Sequence, residues 1–266
     1  MKTLLYAFMI FIFSSASAQE SYLNAGVGYG FLSFGSAQGG VRAYTAGWNE
    51  ETLGKGMTYG FNIGHRVNKT AGIDLGIWYA AGSTFESFTN DSQQTSAPVS
   101  DTLIPVRIQG NTLRIMPSLK LSFGNRHQPY LKLGYLLGIA NAVDVEEVYP
   151  ASGSSNSTEH IVSRKIHGGS SNGFFAALGI DWEAREKISL FIEANIVIQE
   201  YEPVIETVEE PGKETITYQF VEIPNPNNPL EKRIVTFPFS TIGIHAGVKF
   251  LLGIKKKDTP QPAEVK

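Results

Sequence analysis

The sequence STIGIHAGVKFLLG at residues 240–253 alternates between apolar and polar or small side chains almost without exception. Ile242, Ile244, Ala246, Val248 and Phe250 fall on one side of an extended chain. Successive side chains of a strand point to opposite faces, so this pattern predicts a β-strand with one apolar face. Such a face meets a core in a soluble protein but lipid in a membrane barrel. This strand alone does not distinguish the two environments, so the other segments of the chain and their connections are needed.

The first 18 residues, MKTLLYAFMIFIFSSASA, have the three parts of a secretory signal peptide. Lys2 supplies a positive charge, residues 4–13 form an apolar core, and residues 16–18 form a small-residue cleavage site. The apolar run is too short for a transmembrane helix. We therefore predict a signal peptide at residues 1–18 and a mature chain that begins near Gln19.

The composition of the chain narrows the classes of protein that it can represent. The 266 residues include no cysteine, so a secreted form of the chain has no disulfide to stabilise it. The net charge is −3 and no basic stripe is present, which gives no support for a nucleic-acid partner. The mean hydropathy of −0.08 is compatible with barrel strands, because alternating faces average to near neutrality.

Eight segments alternate over at least the ~9–11 residues that a tilted strand needs to cross a bilayer. They lie at residues 22–31, 56–66, 71–85, 111–123, 129–146, 173–184, 188–201 and 239–252.

The connections between these segments alternate strictly in length. Residues 67–70, 124–128 and 185–187 are short turns, whereas the other four connections are long and polar. In an up-and-down meander, alternate connections lie at the same end, so all long loops share one end and all short turns the other. Outer-membrane barrels have this asymmetry, and a soluble sandwich has no physical reason for it.

The predicted fold is all-β: an eight-stranded antiparallel up-and-down transmembrane β-barrel with four long extracellular loops and three short periplasmic turns. The barrel domain is assigned to residues 19–253 and a short periplasmic tail to residues 254–266. Residues 205–223 predict a strand, a turn and a second strand within the last long loop. A ten-stranded barrel is the alternative, but residues 213–223 are too hydrophilic for a lipid face, which favours an extracellular hairpin.

Placing the apolar faces outward directs a set of mostly charged side chains into the lumen. An eight-stranded barrel is just wide enough for side chains to fill it, and isolated buried charge is very costly. We therefore expect a salt-bridge network that closes the lumen and has a structural role; a gated polar path or a binding pocket is the alternative. The residues expected in this network are Arg66, Asp74, Arg114, Lys120, Lys132, Asp181, Glu183, Glu193, His245 and Lys249.

No sequence pattern indicates a catalytic or metal site. The chain has no cysteine nucleophile and no HExxH, P-loop or EF-hand pattern. His245 is expected in the lumen with Ser240 above it, but no spacing identifies a catalytic triad. We predict no catalytic residue, no cofactor and no metal.

With its signal peptide, its eight alternating strands and the closing GIHAGVKF at residues 243–250, nearly the whole mature chain resembles small outer-membrane β-barrel proteins. The resemblance is to the OmpA, OmpX and OmpW type and to related barrel-domain proteins, which include PorT-like secretion components. It implies the outer membrane of a Gram-negative bacterium, contact with outer-membrane lipid and with the barrel-insertion machinery, and envelope or extracellular protein partners for the loops. Barrels of this type usually end at an aromatic residue; here Phe250 is followed by 16 residues.

Three functions remain open from the sequence. The first is a structural, adhesive or assembly protein that acts through its loops. The second, which the OmpW-type resemblance implies, is a narrow channel or transporter for small or apolar solutes. The third is a lipid-modifying enzyme.

Overall fold

The computed structural model describes residues 20–32, 52–90, 103–124, 127–149 and 160–252. The predicted signal peptide and the predicted tail lie outside these residues. No helix among the described residues has the length and apolar character needed to cross a membrane. The strands are β1 (Ser21–Leu32), β2 (Gly56–Arg66), β3 (Ala71–Gly82), β4 (Phe85–Asn90), β5 (Leu103–Ser122), β6 (His127–Tyr149), β7 (His160–His167), β8 (Ser171–Arg185), β9 (Ile188–Tyr201), β10 (Ile205–Glu209), β11 (Ile216–Val221), β12 (Glu231–Arg233), β13 (Phe237–Pro238) and β14 (Thr241–Leu251).

Eight of these strands close into a barrel. They pair in the order β1, β2, β3, β5, β6, β8, β9 and β14, and β14 pairs again with β1. All of these pairings are antiparallel. The predicted eight-stranded up-and-down barrel is therefore confirmed, and β2 and β9 have the predicted bounds.

Three short turns lie at one end of the barrel, which we call the short-turn end. Between β2 and β3, Asn68 Oδ1 accepts hydrogen bonds from the backbone N–H groups of Thr70 and Ala71, at 2.8 and 2.7 Å. After β5, Gly124 has φ = +84°, a conformation that residues with a Cβ rarely adopt. The opposite end of the barrel is called the long-loop end.

The two faces of the barrel wall have the inverted polarity of a membrane protein. On β8, the outward-facing Leu178 is 67% exposed, whereas on β5 the inward-facing Lys120 is only 2% exposed. On β14, Ile244 and Phe250 face outward and Lys249 is buried. Apolar side chains thus cover the outside, as expected for a wall that meets hydrocarbon.

Strands β5 and β6 continue beyond the barrel and carry a second sheet at the long-loop end, which we call the extension. Its strand order is β4, β5, β6, β7, β10, β11 and β12. Strand β10 pairs with β11 on one side and with β7 on the other, outside the barrel wall. The predicted extra hairpin is therefore present, and the ten-stranded alternative is wrong. The predicted third strand, residues 71–85, is also too long: β3 ends at Gly82, and β4 leaves the wall to pair with the upper part of β5.

A cluster of two buried carboxylates and two partly buried cations connects strands of the extension. Arg164 of β7 donates to Glu147 Oε1 of β6 at 2.9 Å and to Glu206 Oε1 of β10 at 3.3 Å. Lys232 Nζ of β12 lies 2.5 Å from the other oxygen of Glu206, which is fully buried. Burial acts to lower the pKa of Arg164, but the bonds and charges of Glu147 and Glu206 raise it above its ordinary value. One cluster therefore joins β6, β7, β10 and β12.

Candidate functional site: the lumen and its stopper

The lumen begins at the short-turn end with a hydrogen-bonded rim. Arg66 donates from Nη1 to Glu20 Oε2 at 3.1 Å and from Nη2 to Gln128 Oε1 at 2.7 Å. These three residues belong to the end of β2, the chain before β1 and the start of β6. The guanidinium therefore links three parts of the wall across the rim.

Above the rim, one carboxylate holds two lysines. Asp181 Oδ2 lies 2.9 Å from Lys120 Nζ and 2.8 Å from Lys249 Nζ, and all three side chains are buried. Lys120 Nζ lies 3.7 Å from the ring centroid of Tyr130, and Lys249 Nζ lies 4.2 Å from that of Tyr22. Aromatic faces attract cations, so the two rings add to the stabilisation that Asp181 provides.

A second charged group lies next to the first. Lys132 Nζ is 3.1 Å from Glu193 Oε2 and 3.6 Å from Asp74 Oδ2. Tyr130 donates to Glu193 at 2.8 Å, and Tyr22 donates to Asp74. Together the two groups contain three buried lysines and three buried carboxylates, so their charges balance, as the low dielectric of an interior requires.

His245 lies at the top of this network, between a hydroxyl and a carboxylate. Its Nε2 is 2.9 Å from Thr58 Oγ1, and its Nδ1 is 3.3 Å from Glu193 Oε1. The ring is stacked on Trp78 at 4.5 Å between centroids, and Trp78 Nε1 donates to Asn62 Oδ1 at 2.9 Å. A hydroxyl, an imidazole and a carboxylate in series resemble a catalytic triad. However, the cavity beside them measures only ≈ 10 Å³, about the space that one water needs, and leaves no room for a substrate.

The middle of the lumen also contains an apolar layer, which the sequence analysis did not anticipate. It consists of Trp78, Met116, Leu136, Phe175, Ala177 and Val197. These side chains pack against one another inside the wall, and four of them line the small cavity beside His245. A barrel of eight strands is narrow enough for side chains to fill it in this way.

The upper polar level is built around Arg114. Its Nε donates to Gln199 Oε1 at 2.8 Å and its Nη2 to the backbone oxygen of Phe239 at 3.3 Å. Gln199 in turn donates to Ser171 Oγ at 2.6 Å, and Thr112 donates to Asn141 Oδ1 at 2.6 Å. Among the described residues Arg114 forms no ion pair, so neutral acceptors alone receive the hydrogen bonds of this guanidinium.

Leu53, Phe237 and Phe239 occupy the long-loop mouth of the barrel, and we call them the stopper. The chain that carries them is held by hydrogen bonds from Leu53 N–H and Thr52 Oγ1 to the Pro238 oxygen, both at 3.0 Å. All three stopper side chains are at most 1% exposed. They form one core with the inner face of the extension, through Phe85, Val106, Ile108, Val143, Val145, Ile166, Tyr201 and Phe220.

The structure places most of the residues expected in the lumen network there. Eight of them are buried, and Arg66 is partly buried at the rim: the eight are Asp74, Arg114, Lys120, Lys132, Asp181, Glu193, His245 and Lys249. Glu183 is a correction, because its side chain is exposed. It has the inward parity of β8, but it lies next to a register shift before the β8–β9 turn, beyond the enclosed part of the barrel.

Sequence reasoning missed the tyrosines and the stopper. Tyr22 has the inward parity of its strand, which alternation alone could have revealed, and Tyr130 is likewise inward and 3% exposed. Of the stopper aromatics, Phe237 lies in the long connection before the last predicted strand, and Phe239 is the first residue of that strand; neither was expected at the mouth of the lumen. No group of three or more His, Asp or Glu residues within the described parts of the chain is arranged to hold a metal ion.

Several solved structures have a similar course of the chain. A major outer membrane protein from Thermus thermophilus is 10% identical, with a TM-score of 0.47, over 88% of this chain and 99% of its own. CarO2 from Acinetobacter baumannii is 11% identical, with a TM-score of 0.37, over 87% and 99%. CarO from Acinetobacter baumannii is 11% identical, with a TM-score of 0.34, over 86% and 96%.

No curated protein matches the chain. The family model described as the outer membrane protein beta-barrel domain matches residues 3–221, well over half of the sequence. Membership of this family implies an outer-membrane location. Together with the closed eight-stranded wall and its apolar exterior, this match shows that the chain belongs to the outer membrane protein beta-barrel domain family.

Proposed function

We propose that the protein is a closed, non-enzymatic outer-membrane barrel that serves as a structural, adhesive or assembly component. The membrane-embedded wall anchors the protein, and the extension at the long-loop end is the part that binds partners. The predicted signal peptide delivers the chain across the inner membrane, and the insertion machinery and outer-membrane lipid are its partners during assembly. Envelope or extracellular proteins are the partners of the extension.

The observation that carries this proposal is the filled lumen. Two independent barriers lie in series along its axis: the balanced lysine–carboxylate network and the apolar stopper. Opening the first exposes a charge without its partner, which costs about 3–5 kcal/mol when one member of a buried pair is lost. Opening the second removes large apolar side chains from a core, at about 3–5 kcal/mol for each aromatic truncated. A spontaneously open state is therefore rare.

The same packing argues against an enzymatic role for His245. Thr58 is 3% exposed and the adjoining cavity is the size of about one water. A lipid or peptide substrate cannot reach this hydroxyl while the lumen remains packed. We therefore assign Thr58, His245 and Glu193 to the stability of the barrel.

Single-channel recording in planar bilayers tests the closed lumen directly. The protein is refolded in detergent, checked by the change in electrophoretic mobility between unheated and boiled samples, and inserted at low concentration. We expect no discrete conductance steps from the wild-type protein. Steady, reproducible steps would reject the closed-lumen function and would favour the narrow channel instead.

A double variant, Phe237→Ala with Phe239→Ala, serves as the positive comparison. It removes two fully buried rings from the mouth while leaving the charged network in place. We expect brief, infrequent openings, because the ionic barrier remains. Glu183→Gln, an exposed change at the other end of the barrel, should record as wild type.

A further inference from the structure

The outer face of the extension carries a row of apolar side chains across neighbouring strands. Phe88 of β4 pairs with Pro105 of β5, and Val148 of β6 pairs with Ile161 of β7. Since Val106 pairs with Glu147, Pro105 and Val148 are next to each other on this face. Phe88 is 53% exposed and Ile161 is 45% exposed. We call these four residues the apolar row.

The apolar row is not a continuation of the lipid-facing wall. Leu113 of β5 is the last outward apolar residue of the barrel, and Asn111, Gln109 and Arg107 follow on the same face before Pro105. On β5, three polar residues therefore separate Pro105 of the apolar row from Leu113 of the lipid-facing wall. Eight residues of strand correspond to roughly 26 Å along the chain. Lipid contact does not account for the exposure, and an exposed apolar patch away from lipid is a typical sign of a protein interaction site.

Carboxylates outnumber cations on the side of the apolar row that faces the barrel. Glu86, Glu146 and Glu209 lie there together with Arg107, which forms an ion pair with Glu86 at 3.1 Å and leaves the other two carboxylates in excess. Glu146 of β6 pairs with Ser163 of β7, and Ser163 pairs with Glu209 of β10. Glu146 and Glu209 are both exposed, and neither forms an ion pair with another described residue. Two strand spacings place these two carboxylates roughly 10 Å apart.

A shallow depression adjoins both features. It has a volume of ≈ 410 Å³ and is lined by Ile161, Ser163, Glu209, Glu210, Pro211 and Thr215. The lining of this depression therefore contains both apolar atoms and carboxylates. The hydrogen bond from Lys213 lowers the pKa of Glu210, with a further contribution from His160, so this carboxylate is ionised at neutral pH.

We propose that this face docks a cationic polypeptide segment whose aromatic or aliphatic side chains alternate with lysine or arginine. This inference rests on the proposed function, because it names the class of partner that the extension binds. An anionic partner, such as a phosphate-bearing lipid headgroup, meets the field of Glu146 and Glu209 and is repelled. A cationic partner is attracted by the same field, and apolar contact supplies the remaining affinity.

The geometry suits an extended segment that runs across the strands. The apolar row and the carboxylates form two parallel lines, two residues apart along each strand, which is roughly 7 Å. Side chains of an extended peptide alternate between its two sides, so its apolar residues reach the apolar row while its basic residues reach the carboxylates. A hexapeptide spans roughly 20 Å, close to the four spacings between β4 and β10.

The probe for this proposal is a fluorescein-labelled (Lys-Phe)₃ peptide, with (Glu-Phe)₃ as its charge-reversed counterpart. Full-length protein is reconstituted in nanodiscs of zwitterionic lipid, and binding is followed by fluorescence anisotropy, with empty nanodiscs subtracted. We expect saturable binding of (Lys-Phe)₃ that weakens as salt is raised, because exposed charge pairs are screened. We expect no saturable binding of (Glu-Phe)₃.

Variants on the face identify the groups responsible. Phe88→Ser with Ile161→Ser should weaken binding at least about tenfold, as expected for central apolar anchors. Glu146→Gln with Glu209→Gln should weaken it about threefold to tenfold and remove most of the salt dependence. As matched controls on the same sheet face, Thr207→Ser should leave the affinity unchanged, and Lys165→Gln should raise it slightly by removing a repelling charge.

The outcomes separate this inference from the function on which it rests. Equal binding of the two peptides, or equal affinity of the wild type and both double variants, overturns the docking proposal while silent bilayers still support the closed barrel. Discrete conductance steps overturn the closed barrel, whatever the peptide does. Each variant is first required to show the wild-type mobility shift on boiling, so that loss of binding is not loss of fold.

Discussion

Replacing Asp181 is the most severe test of the inverted polarity of this fold, in which apolar side chains face outward and charged side chains face the lumen. The Oδ2 atom of Asp181 is the acceptor for Lys120 and Lys249, at 2.9 and 2.8 Å, and no other carboxylate forms an ion pair with either lysine among the described residues. Asp181→Asn keeps the shape of the side chain but removes its charge. Three buried lysines then face only two buried carboxylates.

The expected loss follows from the cost of an unpaired buried charge. Removing one member of a buried ion pair costs about 3–5 kcal/mol, and here a single change leaves two ammonium groups without their partner. We therefore expect the free energy of unfolding to fall by about 4–5 kcal/mol. Lys249→Met should cost much less, because Asp181 retains Lys120 and Met fills a similar volume.

The measurement is reversible urea unfolding of the protein in lipid vesicles, followed by tryptophan fluorescence and by the mobility shift on boiling. Glu183→Gln is the matched control: it lies two residues away with the same strand parity, but it is exposed and should change stability by less than about 0.5 kcal/mol. A triple variant with Asp181→Asn, Lys120→Met and Lys249→Met should regain at least about half of the loss, since an apolar substitute for a buried ionic group is often tolerated.

Either of two results would refute this reasoning. If Asp181→Asn unfolds at the same urea concentration as the wild type and as Glu183→Gln, the two lysines are solvated rather than sealed inside the wall. If the triple variant is no more stable than Asp181→Asn alone, the loss does not come from unpaired lysines. Either result contradicts the assignment of these charges to a closed lumen.

Three further changes test other parts of the molecule. A Cβ at Gly110 would lie 2.6 Å from Leu53 Cβ and 2.9 Å from Phe239 Cζ, so Gly110→Val should displace the stopper and lower the urea midpoint. In bilayers it should give the brief, infrequent openings expected of the double phenylalanine variant. Glu206→Gln should weaken the pairing of two partly buried cations, Lys232 and Arg164, although Arg164 keeps Glu147. We expect a loss of about 1–3 kcal/mol and faster hydrogen exchange in β10 and β11 while the barrel strands stay protected. Because the hydrogen bond from Lys213 lowers the pKa of Glu210, Lys213→Gln should raise the pKa of Glu210 in an NMR titration. The small stabilisation that comes from the lowered pKa is present above the pKa of Glu210 in the unfolded chain. It is lost as the pH falls through the pKa of Glu210 in the folded protein.

The sequence predicted the barrel wall well because the wall obeys a local rule. Each strand of the wall has lipid on one side and the lumen on the other, so alternation identifies both the strand and the direction of every side chain. For this reason β2 and β9 match their predicted bounds, and the charged side chains on the inward face meet one another. Pairing distances and partners follow from the register between strands, which alternation does not specify.

The stopper and the extension depend on contacts that no local rule encodes. Phe237 and Phe239 are buried because residues far away in the chain, such as Leu53 and Val143, surround them. Residues 103–110 alternate as clearly as the wall does, with Ile104, Val106 and Ile108 on one face, yet a hydrophobic set on the lumen side contradicts the rule for a membrane strand. In the sequence-based prediction these residues belong to the long connection before the fourth strand, which begins at Asn111.

This change of pattern along β5 coincides with the end of the closed barrel wall, where the pairing of β5 with β3 stops at Asn111. Along β5 the lumen face is polar or charged at Lys120 and Arg114 and becomes apolar at Ile108 and Val106. The outer face changes in the opposite sense over the same stretch, from Leu113 to Asn111, beside a shift in the β5–β6 register. A strand in lipid can expose its apolar side chains to hydrocarbon, whereas the same strand in water has to bury them in a core. The continuous β5–β6 hairpin can therefore line an ionic lumen in its lower part and a hydrophobic core in its upper part. The polarity of its inner and outer faces reverses where the surroundings change from lipid to water.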